Sequence, residues 1–434
     1  MVDTVSAHRQ PGKVFADMAI TNIGQLLTMN PGKGPKRGAE AQDLGIIENA
    51  FLASHEGKVV ACGPQAVFSE KVELAAGATV TDARGKVVAP GFIDSHTHVV
   101  FAGWRGEEYG MRSRGASYLE IAAQGGGIMS TVRATRAASK EELIQRTLGF
   151  LDEMLSLGTT SCEAKSGYGL NLETEIKQLE VIQECNRLHP IDLVPTFMGA
   201  HAFPPEFKQD RKAYIDEVIR MLEPVRSRNL ARFADVFCDV GNFTLEESRL
   251  ILEEARKHGF ELKIHADELE NTGATELACE LGAVSCDHLI KVSQEGIDML
   301  AGSDTIAVLL PATSSFLGEF PGAPGRKLLD SGAAVAIATD FNPGTCTAMS
   351  IPLCMTLACS ALGFSPEEAF VAATWNAAWA AGLGGTAGGF GQGFAMDAVI
   401  FDTNNYLDVP YRFGTNLVDT VIKAGKPVRS KNNK

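Results

Sequence analysis

Residues 90 to 98 read Pro-Gly-Phe-Ile-Asp-Ser-His-Thr-His, and the apolar run Val87-Val88-Ala89 leads into them. The pattern predicts a buried strand that ends in two histidines. Because side chains alternate between the two faces of a strand, His96 and His98 should project to the same side. Two imidazoles that converge from one strand can hold a metal ion, but a chain with nine histidines also produces a His-x-His pair by chance. The rest of the chain decides between these interpretations.

From residue 87 onward, apolar segments of strand length alternate with helical segments. Eight segments are predicted to be strands: 87–93, 159–164, 193–198, 234–238, 262–264, 284–285, 306–310 and 334–338. Helix-capping sequences begin at Ser139, Thr244 and Ser365. This order predicts an α/β fold with a (β/α)8 barrel of the TIM type. A doubly wound sheet is the main rival, but it would favour a glycine-rich phosphate loop where this chain has its two histidines.

Both ends of the chain are predicted to contribute to a small β-sandwich domain. Short extended segments separated by Gly, Pro and Asp fill residues 14–88, and strand-like segments return at 398–401 and 420–423. We therefore predict a composite β domain made of residues 1–86 and 386–434, with the (β/α)8 barrel between them at 87–385.

Composition limits the partners that we expect. The chain has 53 acidic and 39 basic residues and a net charge of −14, which argues against nucleic acid or an anionic membrane as a partner. We see no signal peptide in residues 1–9 and no apolar run long enough to cross a bilayer. Nine cysteines without a Cys-x-x-Cys pair indicate reduced thiols. We therefore expect a cytoplasmic protein and, as the default for such a protein, a homodimer.

Polar side chains gather where the predicted barrel strands end, which is where barrels of this type carry their chemistry. Five of the nine histidines follow predicted strands, namely His96, His98, His201, His265 and His288. Three imidazoles, one carboxylate and an open position for water suit a catalytic zinc or iron ion. We predict His96, His98, His265 and Asp340 as the ligands of one divalent or trivalent metal ion per chain, zinc or iron. Taken alone, His265 could be a core histidine and Asp340 a turn residue.

At this point the sequence resembles the amidohydrolase superfamily. The stretch 90–98, the histidines after strands 5 and 6, and the aspartate after strand 8 carry the resemblance, and residues 391–400 resemble its returning β domain. The resemblance narrows to the imidazolonepropionase family through stretches along the whole barrel: 101–105, 125–133, 165–170, 199–202, 263–268, 287–289 and 339–344.

The resemblance implies a reaction and roles for particular residues. The expected reaction is the hydrolysis of 4-imidazolone-5-propanoate, a small anionic imidazolone, to N-formimidoyl-L-glutamate. Residues expected to bind substrate or product are Arg105, Tyr168, His201, Glu268, Asn342, Gly344 and Thr345. Arg105 has a physical rationale in its planar guanidinium, which can grip a carboxylate with two hydrogen bonds.

The expected catalytic residues are Glu268, His288 and Asp340. Asp340 would take a proton from water, His288 would stabilise the oxyanion, and Glu268 would pass a proton to the leaving nitrogen; the last two roles could be exchanged. Two-metal members of the superfamily commonly use a lysine after strand 4, where this chain has residues 237–240 without a lysine, so we expect one metal ion. Two alternatives stay open: a deaminase that acts on a nucleobase-like ring, and a non-catalytic homologue.

Overall fold

The computed structural model describes residues 12–115 and 126–431, and two sheets organise this part of the chain. In chain order the strands are β1 Val14–Leu27, β2 Ile46–His55, β3 Lys58–Pro64, β4 Val72–Asp82, β5 Val87–Pro90, β6 Phe92–Asp94, β7 Thr159–Lys165, β8 Asp192–Ala200, β9 Phe233–Cys238, β10 Glu261–Ala266, β11 Ser285–His288, β12 Ile306–Leu309, β13 Val335–Ile337, β14 Ala398–Phe401, β15 Val418–Lys423 and β16 Lys426–Ser430. The first and last segments of the predicted composite domain, residues 1–11 and 432–434, lie outside the described residues.

The helices mostly follow the barrel strands. In chain order they are α1 Phe68–Lys71, α2 Gly106–Ser113, α3 Ile128–Ala137, α4 Lys140–Ser156, α5 Leu172–Leu188, α6 Arg211–Ser227, α7 Leu245–Lys257, α8 Ala274–Glu280, α9 Gln294–Ala301, α10 Pro311–Leu317, α11 Gly325–Ser331, α12 Ile351–Ala361, α13 Pro366–Ala373, α14 Trp375–Ala380 and α15 Asp408–Tyr411. Short 3-10 helices cover Gly38–Gln42, Gln65–Val67 and Pro205–Phe207. Within the described ranges, no helix is long and apolar enough to cross a membrane.

The strands β6 to β13 form an eight-stranded parallel sheet in sequential order. The sheet closes just beyond its ends, where Thr97 forms a parallel bridge with Phe341. The Asp340 N–H donates to the His96 carbonyl at 3.0 Å, and the His98 N–H donates to the Phe341 carbonyl at 2.9 Å. The prediction of a (β/α)8 barrel is confirmed, and its closure already links the first and last groups of site residues.

The second sheet contains strands from both ends of the chain, in the order β16-β15-β14-β5-β1-β2-β3, with β4 also paired to β1. The join between the two ends is the antiparallel pair of β14 and β5. The prediction of a small β domain built from both chain ends is confirmed. The domain boundaries that we assigned, at residues 86 and 386, stay predictions.

The predicted first barrel strand, residues 87–93, is divided between the two sheets. Its first half is β5 of the small sheet and its second half is β6 of the barrel, with Gly91 between them. A Cβ at Gly91 would lie 2.2 Å from Oγ1 of Thr160, so only glycine lets the chain pass this close to β7. The sequence does not reveal the division because both halves are apolar and buried.

Local sequence sets where the helices begin. Ser139, Thr244 and Ser365 each accept a backbone N–H three residues on, and the glutamate there accepts the N–H of the capping residue, which confirms the predicted capping boxes. In α4 the buried side chains include Leu143, Leu151 and Met154. This spacing places them on one face, which packs against the sheet, and each such burial contributes about 1.5 to 3 kcal/mol.

Candidate metal centre and active site

The C-terminal ends of the barrel strands bring the predicted ligands to one place. His96 and His98 directly follow β6, His265 lies on β10, and Asp340 follows β13. All four side chains are buried. The ring centroid of His265 lies 4.5 Å from that of His96 and 5.5 Å from that of His98. Residues separated by up to 244 positions in the chain therefore share one site.

The atoms that could bind a metal ion lie close together. Nε2 of His98 is 3.4 Å from Nε2 of His265, and Oδ1 of Asp340 is 3.6 Å from Nε2 of both His96 and His98. The ligand atoms of His96, His98 and His265 lie within 4.8 Å of one another, and so do those of His96, His288 and Asp340. The predicted ligands thus form one cluster, and His288 borders it.

The hydrogen bonds at Nδ1 of two of the imidazoles show that this cluster suits a metal ion. Nδ1 of His96 is 2.6 Å from Asp287 Oδ2, and Nδ1 of His265 is 3.1 Å from Asp235 Oδ1. An Nδ1–H that donates to a carboxylate leaves Nε2 with a free lone pair. Nε2 of His96 is buried and has no hydrogen-bond partner among the described residues. The donor set of imidazoles and one carboxylate therefore fits zinc or non-haem iron.

Burial changes the protonation of the cluster. It lowers the pKa of His96 and His98 well below the usual value, and positive neighbours lower both further. Burial raises the pKa of Asp340 to about 6, although the hydroxyl of Thr313, which donates to Oδ2 at 2.8 Å, opposes the rise. Near neutral pH the two imidazoles are neutral, which is the form that binds metal.

Glu268 and His288 form a second pair beside the cluster. Oε1 of Glu268 lies 3.6 Å from Nδ1 of His288. Burial raises the pKa of Glu268 well above the usual value, with repulsion from Asp340 and Asp239 in support, and burial lowers the pKa of His288. Neither ring nitrogen of His288 has a hydrogen-bond partner in the part of the chain that the structure describes. A carboxyl group that holds its proton more strongly than usual, beside an imidazole that holds one less strongly, suits proton transfer.

Several site residues have a left-handed backbone that non-glycine residues seldom adopt. The φ angles are 51° at Asp267, 81° at His288 and 52° at Asp340. Such conformations cost about 1 to 3 kcal/mol each and cluster at functional sites, where the surrounding structure holds them. Here they turn the chain at the ends of β10, β11 and β13: the side chains of His288 and Asp340 lie at the cluster, whereas the Asp267 carboxylate accepts hydrogen bonds from Thr272 and Thr275.

Arg105 lies at the mouth of the site against Gly344. Its backbone N–H donates to the Pro343 carbonyl at 3.3 Å, and a Cβ on Gly344 would lie 0.9 Å from Nη2 of the guanidinium. Nε of Arg105 is buried and unpaired within the described ranges, and the nearest carboxylate oxygen, Oε2 of Glu108, is 4.0 Å away. The guanidinium therefore keeps donors available for an anion.

Asn342 organises the turn that carries Gly344 and Thr345. Its Oδ1 accepts the backbone N–H groups of Gly344 and Thr345, each at 2.8 Å. Its Nδ2 donates to Oδ1 of Asp340 at 3.2 Å and to Oγ1 of Thr345 at 2.8 Å. One amide side chain thus fixes the candidate ligand Asp340 relative to the turn beneath Arg105.

Tyr168 and His201 line the site beside His98. The imidazole of His201 stacks on that of His98 with centroids 4.9 Å apart, and the Tyr168 ring lies 5.8 Å from His98. Burial lowers the pKa of His201 to about 3, so this ring is neutral. Its Nδ1 is 3.0 Å from the Gly167 carbonyl, which leaves Nε2 for a ligand.

The loop that carries Tyr168 is held by helix α5 through residues that the sequence analysis did not single out. The buried carboxylate of Glu175 accepts the backbone N–H groups of Gly167, Gly169 and Leu170 at 2.8 to 3.0 Å. Gln178 accepts the N–H of Tyr168 itself at 3.1 Å. These contacts keep the tyrosine beside the cluster.

The sequence analysis treated Lys165 as a structural residue or a support of the metal ligands, but it did not predict the network of charged residues inside the barrel. Glu163, Lys165, Asp235, Lys263 and Asp287 are all buried on barrel strands. A signal was available, because charged residues that interrupt apolar strands need buried partners. Thr313, near the start of α10, donates a hydrogen bond to Asp340, and its sequence context gave no signal of this contact.

Comparison with known proteins agrees with this geometry. Residues 87–428 match the Amidohydrolase family. The chain is 46% identical over 419 residues to the imidazolonepropionase of Alkaliphilus metalliredigens, a match that covers 96% of this chain and 99% of that protein. It is also 46% identical over 412 residues to the imidazolonepropionase of Symbiobacterium thermophilum, with 94% and 96% covered.

Solved structures share the fold. Guanine deaminase of E. coli superimposes with a TM-score of 0.73 at 15% identity, covering 96% of this chain and 99% of that one. An adenosine deaminase of Xanthomonas campestris, solved with bound zinc, gives a TM-score of 0.70 at 17% identity, with 96% and 93% covered. At these identities the solved structures show the fold alone. The sequence matches also show the family: the chain belongs to the amidohydrolase family and, within it, to the imidazolonepropionases.

Proposed function

We propose that this chain hydrolyses 4-imidazolone-5-propanoate to N-formimidoyl-L-glutamate, a step of histidine degradation, with one zinc or iron ion bound per chain. The observation that carries the proposal is the convergence of three imidazoles and one carboxylate at the end of the barrel, with Arg105 at its mouth. The 46% identity to imidazolonepropionases over nearly the whole chain supports the choice of substrate.

The metal ion would be held by Asp340 and by three imidazoles: those of His96 and His265, whose Nε2 the carboxylates behind them leave free, and that of His98. A bound metal ion would supply Lewis acidity, which makes water a nucleophile near neutral pH and polarises a carbonyl group. Since β9 ends in Cys238 without a lysine beside it, we propose one ion rather than two.

Asp340 is proposed as the acceptor of the water proton. Burial brings its pKa to about 6, so the carboxylate is ionised near neutral pH yet can hold a proton briefly. Its Oδ2 is occupied by the Thr313 hydroxyl at 2.8 Å, so its Oδ1, at 3.2 Å from Nδ2 of Asn342, is the oxygen that faces the imidazoles.

His288 and Glu268 are proposed to serve the ring carbonyl and the leaving nitrogen. The neutral His288 has an unused ring N–H that can stabilise the oxygen of the tetrahedral intermediate. Burial raises the pKa of Glu268, so this carboxyl group retains its proton more strongly than usual. It can give that proton to the ring nitrogen as the carbon–nitrogen bond breaks. Water is then added across the amide bond, with OH on the carbonyl carbon and H on the nitrogen.

Arg105 is proposed to bind the propionate arm. Its guanidinium presents unused donors in a part-buried position, in a protein whose net charge of −14 would otherwise repel an anion. Tyr168 and His201 are proposed to contact the ring, and Asn342, Gly344 and Thr345 to contact substrate or product. From composition we further propose a cytoplasmic protein without a nucleic acid or membrane partner, and we propose a homodimer as the default for such an enzyme.

The test is turnover of freshly prepared 4-imidazolone-5-propanoate by the purified chain, with product formation and metal content measured together. We expect formation of N-formimidoyl-L-glutamate with about one metal ion per chain. Asp340→Ala should lose turnover and keep the circular dichroism of the wild type, because buried apolar layers stabilise the barrel. Release of ammonia from a nucleobase, without opening of the imidazolone, would favour a deaminase instead.

A further inference from the structure

One lysine ammonium contacts both of the carboxylates that accept from candidate ligand histidines, namely those behind His96 and His265. Lys165 ends β7 and is fully buried. Its Nζ lies 2.7 Å from Oδ2 of Asp235 and 3.7 Å from Oδ2 of Asp287. The other oxygen of Asp235 is 3.1 Å from Nδ1 of His265, and Oδ2 of Asp287 is 2.6 Å from Nδ1 of His96.

We propose that Lys165 is a positioning residue for the metal centre, and that it fixes the orientation and tautomer of His96 and His265 through Asp287 and Asp235. Each carboxylate needs a fixed position to accept the Nδ1–H of its imidazole and so leave Nε2 free. The single ammonium group of Lys165 holds both carboxylates in place. The inference rests on the proposed function only in requiring a metal ion at the cluster, and it does not depend on the substrate.

The balance of buried charge explains why this lysine matters. Three carboxylates, those of Glu163, Asp235 and Asp287, share the interior with the ammonium groups of Lys165 and Lys263. Lys263 lies 3.4 Å from Glu163 and donates to a backbone carbonyl, that of Ser95, at 3.1 Å. Without Lys165, Asp235 would lose a hydrogen-bond donor and Asp287 would lose one of the ammonium charges that act on it, in a region where repulsion is little screened, and the two aspartates would move apart.

Glu163 provides a matched control. It contacts Lys165 at 2.7 Å and is equally buried, and its remaining side-chain contacts are with Thr196 and Lys263. Within the described residues its carboxylate makes no hydrogen bond or ion pair with either aspartate. Glu163→Gln keeps an acceptor for Lys165, so it disturbs the same buried network without breaking the link to the histidines.

The experiment measures the affinity of the purified full chain for Zn²⁺ by competition with a chromophoric chelator, and the absorption spectrum of the Co²⁺-loaded protein. Lys165→Met, which keeps the length but removes the charge, should weaken Zn²⁺ binding about ten- to a hundredfold and alter the Co²⁺ spectrum, as loss of supporting contacts to metal ligands does. Glu163→Gln should stay within about threefold of the wild type. In an Asp235→Ala/Asp287→Ala background, which removes both acceptors, Lys165→Met should cause little further loss, because its route to the histidines is already broken.

The outcomes separate this inference from the proposed function. A wild-type chain that binds no metal ion overturns both. A wild type that binds metal while folded Lys165→Met binds with the same affinity and spectrum overturns the inference alone, and so does Glu163→Gln with an equal loss. If Lys165→Met does not fold, Lys165→Arg replaces it, and we expect at least about threefold weaker binding with an altered Co²⁺ spectrum because a guanidinium cannot reproduce the ammonium contacts; wild-type behaviour of that variant overturns the inference.

Discussion

Replacement of Gly344 by alanine should displace the guanidinium of Arg105, although the arginine itself is not mutated. The added Cβ would lie 0.9 Å from Nη2, 1.8 Å from Cζ and 2.2 Å from Nε of Arg105. The guanidinium would have to retreat by about 2.5 Å to reach an ordinary contact distance. Since the N–H of Gly344 is held by Asn342 and its carbonyl by Arg112, the turn resists movement and the arginine should move instead.

The size of the effect follows from the contact that is lost. A charge-assisted bidentate hydrogen bond to a carboxylate contributes about 1.5 to 3 kcal/mol. We therefore expect Gly344→Ala to lower kcat/KM for 4-imidazolone-5-propanoate about ten- to a hundredfold, as Arg105→Ala should. An imidazolone that lacks the carboxylate should be hydrolysed equally by wild type and variant.

Steady-state kinetics on both substrates, with two further variants, would check this reasoning. Gly106→Ala is the matched control, because it is adjacent to Arg105 and its added Cβ would meet no atom of the described residues within 4 Å. The double variant Arg105→Ala/Gly344→Ala should be little worse than Arg105→Ala, since both changes remove one contact. Equal damage on both substrates, or fully additive losses, would show that Gly344 does not act through the arginine.

Three other predictions concern metal, loop and fold. Prolonged chelation should abolish turnover and leave the far-ultraviolet circular dichroism unchanged, and readdition of zinc or iron should restore turnover; a chelated protein that stays active would contradict a metal-dependent reaction. Glu175→Gln should lower the free energy of unfolding by about 1 to 3 kcal/mol in denaturant titrations and raise KM, because an amide NH₂ then opposes the N–H donors of the Tyr168 loop; unchanged KM and stability would refute this role. Burial would raise the pKa of Glu368, but hydrogen bonds from Arg326 and the Ser365 backbone lower it overall, so the pair stabilises the fold above the ordinary pKa of glutamate and loses its effect as the pH falls below it. Arg326→Met should therefore lower the free energy of unfolding by about 1 kcal/mol at pH 7, and this loss should shrink toward pH 3. Thermal melts at several pH values would measure it, and a loss independent of pH would contradict the assignment.

Much of the barrel could be predicted because its signals are local. Parallel strands buried on both faces are continuous apolar runs, and the capping boxes at Ser139, Thr244 and Ser365 involve residues only three positions apart. The exception is the segment around Gly91, where one apolar run serves two sheets. Its pairing partners, β14 for one half and β7 for the other, lie far away in the chain, so no local pattern marks the change.

The sequence by itself determined which residues could form the candidate metal site, because His96, His98, His265 and Asp340 stand at strand ends and all strands of a parallel barrel end on the same face. Only the tertiary structure decided how these side chains are held. The contacts of Lys165 with Asp235 and Asp287 join positions 70 and 122 residues apart, and Gly344 meets Arg105 where the first and last strands close the barrel. Such contacts depend on barrel closure and on side-chain reach in a buried interior, and neither leaves a periodic signal in the chain.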